Sequence, residues 1–126
     1  MNPPKRLTQI ALLSGALAVL AAALGAHALA GAGDASIKSF ETASRMHLIH
    51  SVLVLVLSLW WSRHRDSRLL GVSCALILGG MLLFSGGIYL RVLSGETAFS
   101  KLAPVGGILL IAGWIAPVFA IPTRKD

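Results

Sequence analysis

Three of the four histidines in this chain, His27, His47 and His50, lie in or beside long apolar runs, a costly place for a side chain that titrates near neutral pH. Several chemistries fit such residues. His47 and His50, spaced i,i+3, would share a metal ion if His27 supplied a third ligand. No carboxylate or cysteine accompanies them in those runs, and the spacing matches no recognised ligand signature. Two histidines from facing helices would ligate a haem, which requires matched depth on both helices. A titrating cluster would also serve a proton or small-solute path. The structural alternative is a set of histidines that hydrogen-bond between helices and to headgroup water. That alternative is the expectation, with no metal and no cofactor.

Hydroxyl groups sharpen the picture. At 100° per residue, Ser44, His47, Ser51 and Ser58 fall on one arc of a helix, and His50 lies one side-chain width further round. A polar stripe of this kind should face other helices rather than lipid. Ser85 and Tyr89, spaced i,i+4, share a face of a later helix. From their common depth, His27, His50, Ser85 and Tyr89 are expected to meet as a polar cluster near one membrane interface. No phosphate loop, nucleophile elbow or paired-carboxylate site is present, and no enzymatic activity is expected.

These residues are carried by four apolar segments, at about 7–29, 45–61, 69–93 and 104–121. Each approaches the roughly 20 residues that cross a bilayer core as a helix. The runs are continuous and lack the alternation of a membrane β-barrel. The expected fold is all-α: residues 1–126 form an integral membrane protein of four transmembrane helices packed as a small bundle. Composition agrees, with 56% hydrophobic and 13% charged residues and a mean hydropathy of +0.79. A brief interfacial helix is expected over 35–44, with Ile37 and Phe40 facing lipid. Gly79-Gly80 is the expected bend in the third segment. Cys74 reads as a small buried residue.

The net charge of +6 does not point to nucleic acid, because the basic residues sit in short clusters between apolar runs. Lys5, Arg6, Arg63, Arg65, Arg68, Arg124 and Lys125 fall on one side of a four-span topology. Lys38, Arg45, Arg91 and Lys101 fall on the other. The richer side should be cytoplasmic, which places both termini inside. Arg45 and Arg91 read as residues that snorkel to lipid phosphate. The first segment resembles a signal peptide in its Lys5-Arg6 start and its A-x-A sequences at Ala26-His27-Ala28 and Ala28-Leu29-Ala30. Its apolar run exceeds a signal's usual 7–15 residues, and small residues recur at helical spacing (Ser14, Ala18, Ala22 and Ala26, with Ala21 and Gly25 beside them), as in packed membrane helices. The expectation is an uncleaved helix.

Several short motifs occur in a telling order. They are Gly25-Ala26-His27-Ala28-Leu29, then Phe40-Glu41-Thr42-Ala43 with His50 beyond it. Leu83-Phe84-Ser85-Gly86-Gly87-Ile88-Tyr89-Leu90 follows, then Pro104-Val105-Gly106-Gly107 and Ala112-Gly113-Trp114. Together they resemble the YgdD-like family of small bacterial membrane proteins, a domain-of-unknown-function family, across almost the whole chain. The resemblance implies a four-helix inner-membrane protein with no established activity, whose first helix is retained. It carries over His27, His50, Ser85, Tyr89, Pro104, Gly106 and Gly107 as motif positions without assigning roles. The chain departs from the family at Met46-His47, where an aromatic and often a glutamine are usual, so His47 is not expected to be a family-level functional residue. The expected function is helix packing or interaction with membrane components: the lipid bilayer, other membrane proteins or further copies of itself. The alternative is a small transporter or proton-conducting subunit acting as an oligomer.

Overall fold

The computed structural model describes residues 2–121, so the expectations for Arg124 and Lys125 lie outside the described residues. Helix α1 spans Pro3–Ala28, α2 Asp34–Arg63, α3 Arg68–Ser94 and α4 Leu102–Ile115, with short 3-10 turns at Thr97–Lys101 and Ala116–Ala120. All four are long and apolar enough to cross a membrane, α4 when taken with its flanking turns. The described residues contain no strand. The molecule is an all-α membrane protein.

Local sequence accounts for most helix ends. Pro3 and Pro4 open α1, where a missing N–H costs nothing. Gly33 precedes α2 with φ of 83°, in the left-handed region that glycine tolerates. Gly95, at φ 75°, closes α3 and donates its N–H to the carbonyl of Arg91. Pro117 falls in the 3-10 turn that ends α4.

The second helix corrects one expectation. It begins at Asp34, not near Arg45, and takes in the stretch expected as a separate interfacial helix. Hydropathy marks where a helix becomes apolar, whereas a helix ends only at a breaker, and none lies between Gly33 and Arg63. Phe40 does not face lipid. It is 3% exposed, its ring stands 4.8 Å from that of Tyr89, and a Cβ on Gly25 would lie 2.7 Å from its Cδ1. Ile37 is half-buried.

The helices pack in chain order: α1 on α2, α2 on α3, α3 on α4. A core of Ala11, Val54, Leu57, Leu70, Cys74, Ile77, Met81 and Leu110 joins all four. On α1 the buried positions are Pro4, Ala11, Ser14, Ala18 and Gly25, while Ala22 and Ala26 are exposed. An i+4 stripe drifts about 40° per step around a 3.6-residue helix, so it leaves a straight interface that a 3-4-7 pattern follows. Outward leucines on α1 (Leu13, Leu17, Leu20) and Ile108, Ile111 and Phe119 at the far side remain exposed, as a lipid-facing surface requires.

The closest approach lies between α3 and α4. A Cβ on Gly80 would meet Gly106 O at 2.8 Å, and one on Gly106 would meet Phe84 N at 2.4 Å. Gly87 faces Leu102, and Gly113 faces Ile77. The pairs Gly80/Gly87 and Gly106/Gly113 each repeat at seven residues, the period of an interhelical seam. Helix α3 runs unbroken through Gly79-Gly80. Gly80 therefore admits a neighbouring backbone without interrupting the helix.

Candidate functional site

The polar side chain that links α1 and α3 is His47, on the face of α2 between them. Its Nε2 lies 3.0 Å from Ser14 Oγ on α1, and its Nδ1 lies 3.1 Å from Tyr89 Oη on α3. Ser14 Oγ also stands 2.7 Å from Ser51 Oγ, and Ser51 donates to the backbone carbonyl of His47 at 2.8 Å. One proton arrangement satisfies every link. Ser51 has a single proton, already given to that carbonyl, so Ser14 must donate to Ser51. Ser14 then accepts from His47 Nε2–H, and the bare Nδ1 accepts from the Tyr89 hydroxyl. The chain ends on backbone, with Met81 Sδ 3.7 Å from Ser51 Oγ. The network ties three helices and leaves neither ring nitrogen of His47 free.

Further along the same α1–α2 seam, Thr8 and Ser58 hydroxyls lie 2.9 Å apart. Between the two polar pairs stand Ala11, Val54, Leu57 and Cys74, all buried in the apolar core. Ser51 and Ser58 are seven residues apart, about 10 Å of helix. No polar side chain of either helix's buried face bridges that interval.

Of the four residues expected to cluster, Ser85 and Tyr89 line one groove of about 400 Å³ with His47 and Ser14. Ser85 donates to the backbone carbonyl of Ala43 at 2.8 Å, tying α3 to α2. His50 faces elsewhere. Its Nδ1–H donates to the carbonyl of Met46 at 2.6 Å, which leaves Nε2 to accept from Trp114 Nε1–H at 3.1 Å, across to α4. His27 is exposed at the end of α1. The structure thus brings Ser85 and Tyr89 to His47, and sets His50 and His27 apart from them. Sequence reasoning missed Ser14 as a polar partner, having read it only as a small residue. It also missed Trp114 as the partner of His50, although an indole so deep in an apolar segment signals a buried acceptor. Ser73 adds a bond to the carbonyl of Gly113 at 2.5 Å.

Among the described residues, no three His, Cys, Asp or Glu side chains gather to hold a metal ion. Both nitrogens of His47 and of His50 already have protein partners.

Residues 21–107 match the family model described as a protein of unknown function, DUF423. The chain belongs to the DUF423 family. A UPF0382 membrane protein of Haemophilus influenzae is 34% identical over 113 residues, 89% of each chain. One from Staphylococcus aureus is 31% identical over 86% of this chain and 88% of its own. The UPF0382 inner membrane protein YgdD of Escherichia coli is 31% identical over 82% of this chain and 79% of its own. No solved structure matches. The matched region contains three of the four network residues built on His47: His47, Ser51 and Tyr89. Ser14 lies before it.

Proposed function

We propose that this chain is a non-enzymatic protein of the bacterial inner membrane, with both termini cytoplasmic, acting through helix packing and contact with other membrane components. The observation that supports this best is the matched pairing of the His47 network across three helices. Its donors and acceptors are matched across α1, α2 and α3, and its Ser51 end stops on the backbone carbonyl of His47. A proton path needs a continuous chain of exchangeable groups. The apolar block of Ala11, Val54, Leu57 and Cys74 interrupts that chain within the protomer. The N-terminal start of α1, the α2–α3 connection and the turn after α4 lie at one end, where Ala120 sits beside the Arg63–Ser67 loop. The richer basic count there supports the cytoplasmic orientation.

The test is proton flux in sealed vesicles that hold the purified chain and an internal pH dye. The expected result is a leak equal to that of protein-free vesicles, for wild type and His47→Leu alike. A proton flux present in wild type and lost in His47→Leu would overturn the reading in favour of a conducting subunit.

A further inference from the structure

We propose that a cleft at the end of the bundle opposite the Arg63–Arg68 loop binds one anionic phospholipid, headgroup at the mouth and acyl chain against the floor. The cleft has a volume of about 520 Å³ and is walled by α2, α3 and the start of α4. Its lining contributes two positive charges, Lys38 and Arg91, and no carboxylate. Asp34 and Glu41 share α2 with Lys38 but line no part of it.

Polarity is graded along two of the three walls in the same direction. On α3, Arg91 stands at the mouth, with Ile88 and then Phe84 below it, a descent of about 10 Å. On the α4 side, Ser100 at the mouth gives way to Ala103, Pro104 and Gly107. The α2 wall supplies Lys38, Ser39 and, one turn down, Thr42. A snorkelling cation needs no cavity beneath it. Here two cations from different helices share a mouth above an apolar floor, the layout that a phosphodiester with attached chains fills. Ser39 and Ser100 already donate their protons to the carbonyls of Ala35 and Thr97. Their oxygens are left as acceptors, suited to a headgroup that carries its own hydroxyl donors. Anionic phosphatidylglycerol meets both demands, and phosphatidylcholine meets neither. The proposal requires only that the chain spans a membrane, so it stands or falls separately from the flux experiment.

Native mass spectrometry of the full chain, released from detergent with defined lipid, tests the site. Wild type should retain one phosphatidylglycerol in preference to phosphatidylcholine. Removing both mouth charges in K38Q/R91Q should weaken retention about twenty-five-fold, from roughly a factor of five for each cation near the headgroups. The R63Q/R65Q control, which loses the same charge at the other end, should bind as wild type does. Gly107→Leu should also weaken retention with no change of charge, because a Cβ there meets only the Phe84 ring at 3.9 Å and the longer side chain would occupy the floor. Equal retention by wild type and K38Q/R91Q, or equal loss in R63Q/R65Q, would overturn the proposal. Displacement of the lipid by inorganic phosphate would mark a free-anion site and overturn it as well.

Discussion

His47 shows how a polar side chain is made tolerable inside a membrane protein. Its imidazole has a partner at each nitrogen, one on α1 and one on α3. Interhelical hydrogen bonds of this kind average only about 0.6 kcal/mol, because the unfolded helices also find partners in the bilayer. Tyr89→Phe should therefore destabilise the folded state by about 0.6 kcal/mol, and His47→Leu, which removes two bonds, by about 1.2 kcal/mol. The double variant should cost less than the sum, with a coupling of about 0.6 kcal/mol between the two sites, measurable as unfolding free energies in mixed micelles. Additive losses would mean that the His47–Tyr89 contact carries no energy. The arc of Ser44, His47, Ser51 and Ser58 was readable from spacing alone, and Ser44, Ser51 and Ser58 are indeed buried. The partners were not readable. Periodicity says which residues share a face, and says nothing about which neighbour's side chain arrives at the same height.

At the scale of the helix, each glycine pair divides its work. Gly80, Gly87 and Gly106 sit at backbone contacts, whereas Gly79, Gly86 and Gly107 have only ordinary contacts at 3.9 Å or more. Added methyl groups should separate the two sets. Gly106→Ala would press Cβ against Phe84 N and Gly80 O, neither of which is the end of a flexible side chain. The α3–α4 hairpin must then open, at a cost of about 1–3 kcal/mol. Gly107→Ala should be neutral or slightly stabilising, since alanine also favours the helix. Thermal denaturation of the two variants side by side reads the contrast, and equal midpoints would show that the close approach is not needed. The doublets are plain in the sequence, but which member of each does the packing depends on helix rotation, which composition does not specify. The same limit explains α2. Its apolar part was legible from hydropathy, while its polar first turns, with Phe40 buried among Gly25 and Tyr89, were not.

For the whole molecule, the number of helices and their membrane character follow from hydropathy, but the sidedness rests on charge. Lys5 and Arg6 lie in the first turn of α1, and Arg63, Arg65 and Arg68 are in or beside the α2–α3 turn at the same end. Lys38, Arg45, Arg91 and Lys101 are fewer and lie toward the other end. The potential and the translocation machinery act on just this imbalance. A reporter fused after Lys125, and another within the Arg63–Arg68 loop, should both read cytoplasmic, and one near Asp34 should read external. The reporters would read the same if α1 were cleaved, so whether both termini are cytoplasmic depends separately on whether α1 remains in the mature chain. The packing gives a physical reason for retention: Ala11, Ser14, Ala18 and Gly25 fill the α2 face, and Ser14 completes the His47 network. Removing α1 would expose Ser51 and the Phe40 ring to lipid and strand one imidazole nitrogen. Intact mass of the membrane-extracted protein should accordingly include the residues before Ala28. A mature chain that begins near Ala28 or Gly31, with the Asp34 reporter still external, would show that α2 to α4 pack without their first partner.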